Sequence, residues 1–231
     1  MRVHVAFTPA EEVAAPVGIV VDVLRATSTM AQALAAGYRR VLCCSEVDEA
    51  RGIAAREGDA VLAGERGTVR IDGFHFGNSP REFLEPTAGT VVLTTTNGTR
   101  LLLAAAERCE LVLVGSLLNL GAVVAAAAGT GARDVAVLCA GVEGELAMDD
   151  AYCAGRMAAA LGGELADSAA AAIRLAGSFP SHEAGLDASQ SARNLHASGL
   201  DEDIAWCARE SVLDVVPRFV RMVGPAAEVA L

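Results

Sequence analysis

Three short segments of the sequence end an aliphatic run with side chains that can hold a cation or an anion. The first, Val20-Val21-Asp22-Val23-Leu24-Arg25-Ala26-Thr27-Ser28-Thr29, closes with a carboxylate and then delivers an arginine and three hydroxyls. A carboxylate there can ligate a hard divalent cation, while Arg25 and a helix N-terminus, with Ser28 and Thr29, can hold a phosphate. The same residues could instead be structural, Thr27 or Ser28 capping a helix and Asp22 pairing with Arg25.

The second segment, Val91-Val92-Leu93-Thr94-Thr95-Thr96-Asn97-Gly98-Thr99-Arg100, runs from a strand pattern through threonines and Asn-Gly into a helix pattern. Arginine in a first helical turn opposes the macrodipole, so an anionic ligand accounts for Arg100 better than helix stability does. Gly98 permits a tight turn with exposed N–H groups, and Thr95, Thr96 and Thr99 supply hydroxyl donors. A plain Asn-Gly turn after a Thr-rich strand is the alternative.

The third segment, Val137-Leu138-Cys139-Ala140-Gly141-Val142-Glu143-Gly144-Glu145, is followed by Asp149-Asp150, acids that could hold a cation opposite Asp22 or simply favour a helix start. Cys139 is a candidate nucleophile, but a buried core thiol fits its apolar neighbours equally. Between these segments lies a long glycine-rich stretch with Gly64-Glu65-Arg66-Gly67 and Gly73-Phe74-His75-Phe76-Gly77-Asn78-Ser79-Pro80. Glu65 could ligate metal or act as a base and Arg66 could bind a second anionic group, unless the two merely pair at the surface. Asn78 and Ser79 read as residues that shape the loop and cap a helix.

Positioning these residues falls to an α/β layered domain with a largely parallel or mixed sheet, because short Val/Ile/Leu runs alternate with alanine-rich helical patterns. Strands are expected near 2–7, 17–22, 40–43, 60–63, 90–95, 111–114 and 134–139. Helices are expected at 27–36, 46–56, 79–84, 98–107, 117–129 and 147–160. The strand-to-helix junctions of such a sheet are expected to meet at its carboxyl edge. Residues 164–211 read as short helices covering the sheet, and Val212–Val216 as an edge strand. With no linker-like stretch or fixed-period repeat, residues 1–231 are expected to form one domain.

Composition narrows the partners. The net charge of −11 argues against nucleic acid or an anionic membrane. All eighteen basic side chains are arginines, which excludes Schiff-base chemistry and the Walker lysine. The longest apolar runs fall short of the ~20 residues of a membrane span, and the six cysteines include no C-x-x-C pair, so a cytoplasmic protein with reduced thiols is expected. The alanine-rich helices could pack against a second copy, as a homodimer, or serve one core.

The blocks Val21–Thr29, Gly64–Gly67, Gly73-Phe74 with Gly77–Pro80, and Thr94–Arg100 together resemble the 2-phosphosulfolactate phosphatase family. The likeness continues through Cys139-Ala140-Gly141 and the acidic pair, and more faintly through Leu195, Gly199 and Asp201-Asp203-Ile204. It implies a three-layer α/β/α fold and Mg2+-dependent hydrolysis of a small phosphate ester, 2-phosphosulfolactate to sulfolactate and phosphate, a step of coenzyme M biosynthesis. His75 stands where an aspartate is expected in the family, and Asp149 where a glutamate is usual.

On this reading Asp22, Asp150 and Glu65 position Mg2+, while Arg25 and the turn from Thr96 to Thr99, with Asn97 and Gly98, bind the phosphoryl group. Arg66 or Arg100 then grips the sulfonate or carboxylate. Asp22, Arg25 and Glu65 are the expected catalytic residues, with water or Asp22 itself as the attacking group. Two rivals predict different behaviour: a Cys139-dependent transferase would lose activity on thiol alkylation, and a phosphometabolite-binding module would bind without turnover.

Overall fold

A computed structural model describes residues 1–95 and 97–231. Among the described residues, eleven strands join in one sheet in the order β5-β4-β6-β3-β11-β10-β7-β2-β8-β1-β9. They are β1 (Arg2–Ala6), β2 (Val17–Val21), β3 (Arg40–Cys43), β4 (Ala60–Arg66), β5 (Val69–Arg70), β6 (Thr90–Thr94), β7 (Leu111–Gly115), β8 (Asp134–Cys139), β9 (Glu164–Leu165), β10 (Arg218–Val223) and β11 (Ala226–Ala230). Helices α1 (Ala26–Ala36), α2 (Val47–Glu57), α3 (Gly98–Arg108), α4 (Leu120–Gly129) and α5 (Met148–Leu161) alternate with the strands. Helices α6 (Asp167–Ala176), α7 (His182–Asp187), α8 (Gln190–Ala197) and α9 (Asp201–Cys207) follow in succession.

Strands β2 and β8 are apolar on both faces, and helices cover both. In β2, Val17, Ile19 and Val21 enter one core with α4, α5 and α6, whereas Val20 enters the other with α1 and α3. Strand β8 divides the same way, Val135, Val137 and Cys139 against Ala136 and Leu138. Period-2 alternation in strands with no polar face is the signature of a doubly covered parallel sheet. The α/β class and layered arrangement thus match expectation, as do the strands and helices expected within residues 1–161, to within a few residues and apart from the helix over 79–84.

Two elements differ from expectation. Val212–Val216 forms no strand: the Ser211 and Leu213 N–H groups bond the Leu117 and Leu118 carbonyls, and Asn119 Nδ2 donates to the Val215 carbonyl, so this segment is tied to the loop before α4. The last strand pair is instead the antiparallel hairpin β10–β11, placed in the middle of the sheet between β7 and β3. The expected helix over 79–84 shortens to a 3-10 turn, Pro80–Glu82, that Ser79 and Glu82 close as a capping box.

The hairpin also sets strand directions. β4, β6 and β3 run parallel, as do β7, β2, β8, β1 and β9, but the three antiparallel pairings through β11 and β10 make the two sets run in opposite senses. A flat sheet would put their carboxyl ends at opposite edges. Right-handed twist of roughly 20–25° per strand pair, accumulated from β6 to β2, allows them to converge.

Candidate active site

Strand β2 is buried throughout and places Asp22 one residue beyond its end, on the wall of a cavity of about 190 Å3. The turn that follows is closed by its own hydroxyls. Thr27 Oγ1 accepts from the Asp22 N–H at 3.1 Å and donates to the Asp22 carbonyl at 2.9 Å. Ser28 Oγ donates to the Val23 carbonyl and Thr29 Oγ1 to the Asn78 carbonyl, each at 2.8 Å. Ser28 and Thr29 were expected to bind substrate, but both are buried, bonded to backbone and absent from the cavity wall. A hydroxyl enclosed beside an unpaired carbonyl serves that carbonyl first.

Asp22 Oδ1 accepts from the Ala26 N–H at 3.2 Å, and the Gly98 N–H also bonds this carboxylate. Burial nonetheless pushes its pKa up to about 6, and the charge of Glu65 adds to the rise. Gly98 allows this approach: a Cβ there would lie 2.5 Å from Asp22 Oδ2 and 2.7 Å from Ala26 Cβ. The glycine of the second segment therefore serves a backbone donor packed on a carboxylate.

Glu65 lies in β4, which turns into β5 through Gly67 and Thr68, both at positive φ (57° and 70°), as a type I′ turn requires. The Thr68 N–H donates to Glu65 Oε2 at 2.8 Å. Neighbouring side chains of a strand leave on opposite faces, so with Glu65 on the cavity Arg66 points away. Its guanidinium instead bonds the Glu65 and Ser45 carbonyls and Thr94 Oγ1. Arg66 is therefore removed from the cavity wall, and so is Arg100, exposed and facing Glu46 at 3.9 Å.

Arg25 does line the cavity, but not as the partner of Asp22. Its Nη1 donates to Asp203 Oδ2 at 2.7 Å and its Nη2 to the Thr68 carbonyl at 3.2 Å, with both members of the ion pair buried. Asp203 Oδ1 accepts from Ser79 Oγ at 2.6 Å, so α9 is tied to the loops after β2 and β5. Among the remaining expected residues, Thr95 and Asn97 line the cavity; Thr99 is buried behind it, its Oγ1 3.3 Å from that of Thr95. Thr96 lies outside the described residues.

The third segment contributes the wall residues Val142 and Glu143. Asp150, an expected metal ligand, is not on the cavity: its Oδ1 accepts from the Val23 N–H at 2.9 Å and its Oδ2 from the Gly141 N–H at 3.0 Å. It clasps the loops after β2 and β8 together, and burial with the neighbouring Asp149 charge holds its pKa well above the carboxylate range. Asp149 is pushed up to about 7, chiefly by burial, and accepts from Ser191 Oγ. Burial, then Asp150, also raises the Cys139 thiol well above its ordinary value, which disfavours the thiolate a transferase would need.

Among the described residues no group of three or more His, Cys, Asp or Glu side chains is arranged to hold a metal, so the expected triad is not assembled. The donors that do share the cavity still suit Mg2+. Asp22 and Glu65 offer carboxylate oxygens, and Asn78, also on the wall and 4% exposed, has an Oδ1 with no hydrogen-bond partner among the described residues. Mg2+ commonly takes one or two carboxylates and completes its shell with water and substrate phosphate. His75 is exposed, off the cavity, and its Nδ1 accepts the Leu62 N–H at 3.0 Å, so its replacement of an aspartate leaves the wall untouched.

Sequence reasoning missed Asn78 as a wall residue, Thr68 as the donor to Glu65, and Ser191 and Asn194 of α8 as further wall residues. The unusually long loop carrying Asn78 was the available signal. For Ser191 and Asn194 there was none, since a polar face on a short helix reads as solvated surface.

The model of the 2-phosphosulpholactate phosphatase family matches residues 4–221. A Thermus thermophilus protein named probable 2-phosphosulfolactate phosphatase is 40% identical, over 98% of each chain. Proteins of the same name from Carboxydothermus hydrogenoformans and Symbiobacterium thermophilum are 35% and 37% identical, over 94% and 91% of this chain and 92% and 94% of theirs. A match over nearly the whole length, across all the segments that build the cavity, places the chain in a family of phosphoric monoester hydrolases: it belongs to the 2-phosphosulfolactate phosphatase family.

Proposed function

We propose that the protein is a Mg2+-dependent phosphatase that hydrolyses 2-phosphosulfolactate to sulfolactate and phosphate. The observation that carries this reading is a cavity whose wall holds Asp22 and Glu65 together with Arg25, Thr95 and Asn97, the last two from the turn that leads into α3. Two carboxylates on one wall, with burial first and the Glu65 charge second raising the Asp22 pKa, make a site that a divalent cation would relieve. Bound there, Mg2+ would neutralise charge on the phosphoryl oxygens.

The chain's own groups do the rest. Asp22 is fixed by the Ala26 and Gly98 N–H groups and Glu65 by the Thr68 N–H, so neither carboxylate has to reorganise when substrate arrives. Arg25, aimed by Asp203, brings a fixed positive charge to the wall where the phosphoryl group sits. Ser191, Asn194 and Leu195 of α8 complete the wall, and the first two offer polar groups to a bound ester. No helix among the described residues is long and apolar enough to cross a membrane, and the free cysteines are mostly buried, which supports a cytoplasmic setting.

The test is phosphate release from 2-phosphosulfolactate by purified protein with Mg2+, with EDTA, and with Asp22→Asn. Release that needs Mg2+ and disappears in the variant is the expected result. Release that persists in EDTA removes the metal, and none from any phospho-hydroxy acid removes the activity.

A further inference from the structure

A second cavity of about 480 Å3 adjoins the first, and Arg25, Thr68 and Asn78 line both. The two differ in charge. The first has Asp22, Glu65 and Glu143 against Arg25 alone, whereas the second has Arg25, Arg70 and Arg81 against Glu82 and Asp203. In a chain of net charge −11 an arginine-rich hollow beside a carboxylate-lined one is a departure that invites an anion.

Register explains how Arg70 arrives there. Glu65 and Arg70 are directly paired across the β4–β5 hairpin, so their side chains leave on the same face, Glu65 to the first cavity and Arg70 to the second. The only hydrogen bond of the Arg70 guanidinium among the described residues is from Nη1 to the His75 carbonyl at 3.3 Å, and it makes no ion pair there. Arg81 is already paired with Glu202 and lies 3.9 Å from Asp203, so it is the lesser contributor. The two side chains once expected to hold the second anionic group, Arg66 and Arg100, line neither cavity.

We propose that the second cavity seats the sulfonate of the substrate, with Arg70 as the residue that selects it. This rests on the reading of the first cavity as the phosphoryl site. In 2-phosphosulfolactate the carboxylate and the phosphate ester share one carbon, whereas the sulfonate hangs from the next. The sulfonate is thus the group that reaches past Thr68 into the neighbouring hollow, and a guanidinium fork suits its oxygens as it suits those of phosphate.

Two measurements test this with the whole chain. The first is calorimetric binding of sulfolactate and of lactate, which needs no turnover, to wild type, Arg70→Leu, Arg81→Leu and Arg100→Leu, each checked for an unchanged Tm. Sulfolactate affinity falls at least tenfold in Arg70→Leu and less in Arg81→Leu, while Arg100→Leu tracks wild type. The second is the ratio of kcat/KM for 2-phosphosulfolactate to that for 2-phospholactate, which falls at least tenfold in Arg70→Leu, carried by KM. Equal affinity of wild type for sulfolactate and lactate, or a loss in Arg70→Leu shared by both, overturns the assignment. Selective sulfolactate binding without phosphate release would overturn the phosphatase reading and leave the sulfonate seat standing.

Discussion

The junction after β2 and the β4–β5 hairpin both present an acid followed closely by an arginine, Asp22 with Arg25 and Glu65 with Arg66, yet they use the arginines in opposite ways. At the junction Arg25 stays on the cavity because a residue 178 positions away in sequence, Asp203, holds it there. At the hairpin the alternation of β4 throws Arg66 outward, and the arginine brought inward is Arg70, across the turn. An acid near the end of a buried strand has few directions in which to point. An arginine has many, and its direction is chosen by register and by distant partners.

That contrast can be broken in order of effect. Asp22→Asn removes a carboxylate from the first cavity and lowers phosphate release by about a thousandfold or more, read as kcat at saturating Mg2+. Asp203→Asn strands the Arg25 charge in a buried site and costs about 3–5 kcal/mol of stability, read by urea unfolding. If the pair were merely decorative the loss would stay below about 1 kcal/mol.

Two buried acids, Asp22 at the junction and Asp149 in α5, also make stability depend on pH. Asp22 is raised to about 6 and Asp149 to about 7 from an ordinary 3.8, so between pH 4 and 7 the folded chain holds more protons than the unfolded chain. Stability in EDTA therefore falls as pH rises through that window, on the order of 2–3 kcal/mol for Asp22 alone. Thermal melts at pH 5 and pH 7.5 measure it; Asp22→Asn flattens the dependence, and Mg2+ recovers part of the loss at the higher pH.

Smaller changes sharpen the comparison. Gly98→Ala drives a methyl against Asp22 and Ala26 and costs about 1–3 kcal/mol, visible in the same melts. Arg100→Leu, at an exposed position 3.9 Å from Glu46, shifts stability by less than about 0.5 kcal/mol.

Much of the frame was legible because it rests on local pattern. β2, β6 and β8 are continuous apolar runs, and Asp22, Glu65, Thr95 and Asn97 reach the cavity simply by lying at or just past strand ends. What escaped depends on partners distant in sequence. Ser28 and Thr29 look like ligand hydroxyls until the Val23 and Asn78 carbonyls that occupy them are known, and Asp150 looks like a metal ligand until the Val23 and Gly141 N–H groups are known. The β11 strand, Ala226–Ala230, gave little signal because alanine carries no strand preference.

The place of that strand has a consequence for the chain as it is made. β3 and β7 are synthesised early, but the hairpin that joins them, β10–β11, is the last described element to emerge. Until then the nascent protein carries two half-sheets, each with an open strand edge at what will become the centre of the molecule. The joint between the halves is therefore also the moment of greatest risk of pairing with a neighbouring chain, and shortening the wait for the hairpin, by permuting it to the front, would shorten that exposure.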